Sequence, residues 1–177
     1  MPSKPALKSR SASRSRLPPE PPIRTPGGDR LTDLVLAVFK LNGRFLDVAE
    51  EITADTRLTA ARWQVLGAVL PGPLTVAAIG RHMGLSRQAV QRLADLLVEE
   101  GLCAYEDNPA HRRAKLLVPT PAGWAQIDRI RPIQIDWADR VAARVGEAKL
   151  MAALKGIRSV LEALEQPECA VHPAPNK

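Results

Sequence analysis

Gly84-Leu85-Ser86-Arg87-Gln88-Ala89-Val90-Gln91-Arg92-Leu93 places a helix stop directly against a helix start. Gly84 can adopt the left-handed backbone that ends a helix, and Ser86 is placed to cap the next one with its hydroxyl. Leu85, just before the cap, can staple against Val90 at the fourth helical position and set the angle at which the chain enters. Val90, Leu93 and Leu97 then form an apolar stripe, while Arg87, Gln88, Gln91, Arg92 and Asp95 lie away from it; Gly101 supplies the stop. Upstream, Thr75 caps a short helix that turns Val76, Ile79 and Met83 inward. Two short helices joined by a tight turn are the expected result.

Immediately downstream the apolar period falls from 3.6 to about 2. Residues 102–106 and 114–118 read as two short strands, with Asp107-Asn108-Pro109 as turn chemistry and His111-Arg112-Arg113 at the tip. A helix-turn-helix backed by a basic hairpin can lay one helix in the major groove of DNA and the hairpin along phosphates or in the minor groove. Arginine pairs bidentately with guanine and glutamine with adenine, so Arg87, Gln88, Gln91 and Arg92 are the candidates for reading bases. Thr75, Ser86, His111, Arg112, Arg113 and Lys115 complete the expected DNA face. The plain alternative, a solvated polar helix face, does not account for the basic hairpin behind it. Glu99 and Glu100 stand at the far end of the helix, as repulsion from phosphate requires.

Outward from this centre the spacing is helical. Leu31, Leu34, Val35, Val38, Leu41, Phe45, Val48, Ala49 and Ile52 predict one long amphipathic helix from about residue 30 to 54. Thr59 caps a helix burying Trp63 and Leu66, which Pro71-Gly72-Pro73 terminates. Thr120-Pro121 opens a fifth helix carrying Trp124, Ile127, Ile130 and Trp137, which Pro132 is expected to kink or interrupt. Leu150, Leu154, Ile157, Leu161 and Leu164 repeat at steps of four and three, a narrow seam of the kind two helices use to pack together. That seam can pack on its own domain or on a second subunit; the second is favoured, because the helix closes a small chain with few faces left to cover.

The fold class expected is mainly α with a small β-wing, a winged helix-turn-helix with N- and C-terminal dimerisation helices. Residues 1–28, rich in Pro, Ser, Arg and Gly, read as a disordered basic arm, and 167–177 as a flexible tail. The folded unit is 29–166, with the winged helix at about 58–120 and dimerisation helices at about 30–55 and 121–165.

Composition bounds the function. At 177 residues and 45% hydrophobic content, the chain suits one domain of ordinary size. Its net charge is +6, but residues 1–29 hold six basic and two acidic side chains, so only +2 falls on the remainder. Overall basicity therefore says little about what the fold binds. Two cysteines, Cys103 and Cys169, cannot build a disulfide framework, and His82, His111 and His172 lack ligand spacing, so no metal and no cofactor is expected. There is no glycine-rich phosphate loop, nucleophile elbow or His-Glu-x-x-His helix, and the chain is not expected to be an enzyme. No apolar run spans a bilayer, so no membrane partner is expected and a cytoplasmic location is.

The runs Ile79–Leu93, Leu97–Leu102 and Asn108–Gly123 together resemble the MarR (multiple antibiotic resistance regulator) family. The resemblance covers about residues 30–165. It implies a winged-helix homodimer whose first, fifth and sixth helices interlock, and a bacterial transcriptional regulator, usually a repressor, that binds double-stranded DNA at a pseudo-palindromic operator. The family's wing ends in an arginine that enters the minor groove, which maps onto Arg113; earlier in the wing this chain has Asn108, Ala110 and His111 where an acid and a first arginine are common. Many members release DNA when a small aromatic or phenolic effector enters a crevice, which Phe39, Phe45, Trp63 and Trp124 could line. The redox branch uses a cysteine near the start of the first helix, and none is present there. The competing expectation is a winged-helix protein-protein adaptor without specific DNA binding.

Overall fold

The computed structural model describes residues 24–170. Six helices and three strands follow in the order α1 (Pro26–Thr53), α2 (Ala60–Ala68), β1 (Leu74–Thr75), α3 (Val76–Met83), α4 (Arg87–Glu99), β2 (Cys103–Glu106), β3 (Leu116–Pro119), α5 (Pro121–Val145) and α6 (Glu147–Leu164). A 3-10 turn at Pro167–Cys169 follows α6. The chain divides into two units within α1, after Asn42. Of the first unit, residues 24–42 are described: Arg24 and Thr25 precede the helix, and Thr25 Oγ1 accepts from the Gly28 amide at 3.0 Å. The helix thus opens at Pro26, four residues ahead of the position expected, and takes in Gly27 and Gly28. The expected arm otherwise falls on residues 1–23, outside the described residues, as do 171–177 of the expected tail.

In the second unit, four short connections are closed by side-chain caps. Thr59, Thr75, Ser86 and Thr120 accept from the amides of Arg62, Ala78, Ala89 and Gly123 respectively. Each such cap contributes about 1 kcal/mol, a large share for helices as short as α2 and α3. Val65, Leu66, Ile79, Val90, Leu97, Leu102, Leu117 and Ile130 form the centre of the core, with Leu85 and Leu93 packed against it. Leu85 and Val90, on either side of the Ser86 cap, thus join one apolar cluster.

The sheet has the order β1-β3-β2, all antiparallel. Tyr105 faces Leu117 across β2 and β3, and Leu74 faces Leu117 from the other side. Strand β1 did not emerge from the sequence because two residues carry no period; it exists because β3 offers it a free edge. Pro132 was expected to kink or interrupt the fifth helix, yet α5 runs unbroken past it from Pro121 to Val145. The proline is exposed, so water can reach the backbone group that its missing N–H leaves unpaired. Buried Ile130 before it and half-buried Trp137 after it hold both halves to the core.

Two glycines admit no side chain. A Cβ on Gly123 would stand 2.1 Å from the Leu102 carbonyl oxygen, and one on Gly80 would stand 2.9 Å from the Leu85 carbonyl oxygen. The first contact docks α5 on the wing, where Thr120 also donates its amide to the Leu102 oxygen at 3.0 Å. Gly123→Ala is therefore expected to lower stability by about 1–3 kcal/mol, the range for forced overpacking, read as a fall in the urea or thermal midpoint. An unchanged midpoint would show that α5 can move off the wing at no cost.

Candidate nucleic-acid interface

Helix α4 is anchored on one face and open on the other. Val90, Ala94 and Leu97 are buried, whereas Arg87, Gln88 and Arg92 are exposed. The first turn of α4 carries no acidic side chain, so its backbone amides and Arg87 share one sign of charge. The tight turn before it is closed by the Leu85 amide donating to Gly80 O at 2.9 Å, with Gly84 in left-handed geometry at φ 64°.

Two successive turns order the wing tip. Asn108 Oδ1 accepts from the Ala110 amide at 3.0 Å, the His111 amide donates to Asn108 O at 3.1 Å, and the Ala114 amide donates to His111 O at 2.9 Å. An asparagine thus performs the side-chain-to-backbone task that an acid at this position could perform. His111, Arg112, Arg113 and Lys115 are all exposed. Between α4 and the wing lies a recess of about 200 Å³, lined by Thr75, Val76, Ala77, Arg87, Gln91, Tyr105, Arg113, Ala114 and Lys115. The fold thus brings together Thr75, Arg87, Gln91, Arg113 and Lys115 from three segments of the chain. Ser86 serves as the cap. Gln88, Arg92, His111 and Arg112 stay on the exposed surface outside the recess. Among the described residues none of Arg87, Arg92, Arg112, Arg113 and Lys115 enters an ion pair with a carboxylate.

Gln91 differs from its neighbours. Its Nε2 donates to Asp95 Oδ1 and to the Tyr105 hydroxyl, each at 2.8 Å, and that hydroxyl donates to Asp95 Oδ1 at 2.8 Å. Burial, followed by the hydrogen bond to Asp95, pushes the Tyr105 phenol up to about 12, so it stays protonated and donating at neutral pH. Helical spacing alone predicts a Gln91 amide able to pair with adenine through both ends. The structure commits its nitrogen to Asp95 and Tyr105. Tyr105 lies on another element, 14 residues on, so helical spacing carried no sign of it.

The far end of α4 is pinned from behind. Arg62 of α2 forms an ion pair with Glu100 Oε1, and Arg57 Nη2 donates to the Glu100 carbonyl at 3.3 Å. Burial pushes the Cys103 thiol up to about 11, which leaves almost no thiolate at neutral pH and makes it a poor nucleophile. No group of three His, Cys, Asp or Glu side chains able to hold a metal occurs among the described residues. None of their helices is long and apolar enough to cross a membrane.

A second, apolar crevice of about 250 Å³ is lined by Phe45, Val48, Ala49, Ile52, Trp63, Gln134 and Trp137. Phe45 and Trp137 meet edge to face, with centroids 6.2 Å apart. Phe45 and Trp63 were expected at such a crevice; Phe39 and Trp124 are not among its lining residues, and Trp137 is. Phe39, in the first unit, is 70% exposed. Trp124, 38% exposed, precedes Trp137 by 13 residues, which turns it to a different face of α5. The i, i+3, i+4, i+7 phase of Phe45, Val48, Ala49 and Ile52 is the sequence signal for the α1 residues that line the crevice.

A capped helix with a free basic face beside a basic hairpin defines a winged-helix, DNA-binding transcription regulator. The MarR family profile matches residues 58–114. An uncharacterized protein of Mycobacterium tuberculosis is 37% identical over 137 residues, covering 77% of this chain and 96% of that relative. Among solved structures, a mutant MarR from E. coli complexed with operator DNA superposes with a TM-score of 0.66 at 18% identity, over 75% of this chain and 96% of that one. Bordetella bronchiseptica BpsR, a structure concerned with regulation of DNA binding by 6-hydroxynicotinic acid, gives 0.63 at 21% identity, over 72% and 98%. The chain belongs to the MarR family.

Proposed function

We propose that the protein is a cytoplasmic, ligand-responsive repressor that binds a pseudo-palindromic operator in duplex DNA as a homodimer. Helix α4 enters the major groove through Arg87, Gln88, Gln91 and Arg92, while Thr75 and Ser86 lie along the phosphates. The wing carries Arg113 into the minor groove, with His111, Arg112 and Lys115 on the flanking backbone. The observation that carries this reading is the unpaired state of the cations on α4 and the wing, on either side of one recess. A protein surface that kept its arginines for internal ion pairs would not present them this way. That E. coli MarR, which shares the fold, was solved in complex with operator DNA supports duplex DNA as the partner.

Dimerisation rests on α6. No residue of that helix is buried in the single chain: Leu150, Leu154, Leu161 and Leu164 are exposed, and Ile157 is half-covered. A continuous leucine seam left open to water favours a second copy over intramolecular packing. A two-fold pair then presents two α4 helices to half-sites about one DNA turn, roughly 34 Å, apart. The apolar crevice suits a small aromatic or phenolic effector, since cavities of about 150 Å³ already hold benzene. Regulation of BpsR by 6-hydroxynicotinic acid favours that class of ligand. An effector acts by binding one spacing of the two α4 helices more tightly than the other.

In a salt titration against the DNA flanking its own gene, affinity is expected to fall steeply with rising salt, and Arg113→Ala to weaken it throughout. Arg92→Ala is expected to cost about 1–3 kcal/mol and relax one base position. Binding indifferent to both variants would refute the docking. Leu154→Glu with Leu161→Glu is expected to give monomers in sedimentation; intact dimers would place the interface elsewhere. A hydroxybenzoate is expected to release that DNA from the wild type and not from Trp137→Ala, and equal release from both would clear the crevice of this role.

A further inference from the structure

The closed triangle of Gln91, Asp95 and Tyr105 fixes which end of one amide faces outward. Asp95 is a carboxylate with no hydrogen to give, so the amide end facing it has to be Nε2. Turned the other way, Oε1 would meet the Asp95 oxygen at hydrogen-bond distance with no proton between them. Among the described residues, Glu100 Oε2 is the sole buried side-chain polar atom without a partner. Gln91 Oε1 receives no hydrogen bond from any described residue and is not buried, and Gln91 lines the recess together with Arg87. Alone, a Gln-Asp pair four apart on a helix contributes only about 0.2–0.5 kcal/mol and would let the amide turn over freely. The Tyr105 hydroxyl, reaching across from β2, bonds both partners and closes the ring. Its high pKa keeps the proton in place.

Resting on the DNA-binding reading above, we propose that Tyr105 and Asp95 are positioning residues that hold Gln91 as an outward-facing acceptor, so that position 91 selects a base carrying an exocyclic amine. In the major groove adenine and cytosine offer such an amine, at N6 and N4. Guanine presents N7 and O6 there and thymine presents O4, acceptors that Oε1 repels. A glutamine whose amide turns freely serves an amine or a carbonyl; this one serves the amine. The choice between amine and carbonyl is thus made by a wing residue that touches no base.

The test is selection of bound sites from a pool of duplexes with a randomised centre, using the full-length chain. Gln91→Ala identifies the position in each half-site that residue 91 reads, by flattening it. Counted on the strand whose base residue 91 contacts, assigned by base-analogue substitution at that position in one strand at a time, the wild type is expected to prefer adenine or cytosine by about fivefold or more over guanine and thymine, the lower end for a base contact. Tyr105→Phe is expected to reduce that preference to about twofold. Asp95→Asn, whose amide can donate to Oε1 and let it turn inward, is expected to abolish or reverse it. Both variants are expected to keep the thermal midpoint, the salt slope and the preferences at the other half-site positions, all of which a merely structural role would move. If Asp95→Asn fails to fold, Tyr105→Phe, which removes one oxygen atom, decides alone. Preference for guanine or thymine in the wild type, no position flattened by Gln91→Ala, or an unaltered preference in the folded variants overturns the proposal while leaving DNA recognition intact. If the wild type enriches no sequence at all, the DNA-binding reading itself fails and the proposal falls with it.

Discussion

The Leu85 carbonyl oxygen occupies the space in which any side chain at position 80 would begin. This close approach of one backbone to another sets the path from α3 into α4, because the same six residues also close the Leu85-to-Gly80 hydrogen bond and place Gly84 in left-handed geometry. Every functional direction in the molecule follows from it. A β-carbon at residue 80 would push the start of α4 outward, and Arg87, Gln88 and Arg92 would turn with it. Glycine stands there for space, and at 84 for its freedom to adopt positive φ. The turn is therefore a steric constraint first and a hydrogen-bonded one second.

Held at its start by that turn, α4 is restrained on three further sides. Val90, Ala94 and Leu97 sink into the core, the Arg62 to Glu100 pair fixes the last turn, and Tyr105 ties the middle to the wing. Two acids of this region are engaged by neighbours, Asp95 by Gln91 and Tyr105 and Glu100 by Arg62. The arginines of α4 and the wing are left without carboxylate partners among the described residues. Separating the charges in this way leaves a positive rim near the recess although the folded part of the chain is close to neutral, which is the arrangement a phosphate-binding face needs. Net charge gave no sign of this; the pairing of individual acids created it.

Local signals in the sequence were sufficient for whatever depended on neighbours a few residues away. The Thr59, Thr75, Ser86 and Thr120 caps, the Gly84 and Gly101 stops, the apolar stripe of α4 and the change of period at the wing each rest on interactions spanning fewer than about five residues. They were legible for that reason. The features that local pattern did not reveal depended on distant partners. Strand β1 exists because β3 accepts it, and α5 survives Pro132 because residues on both sides of the proline are anchored in the core. Trp137 replaces Trp124 at the apolar crevice because helical phase, set against α1 and α2, decides which face turns inward.

The DNA-facing residue types were thus readable from order and spacing alone, since a helix cap and a 3.6-residue period already sort polar from buried positions. The atom that Gln91 presents was not readable, because it is set by the hydroxyl of Tyr105, brought alongside by the folding of β2 against α4. Chain order determines which groups a surface can offer when the governing contacts lie within one or two turns. Tertiary structure alone decides their orientation and pairing, because those contacts join residues whose separation along the chain obeys no period.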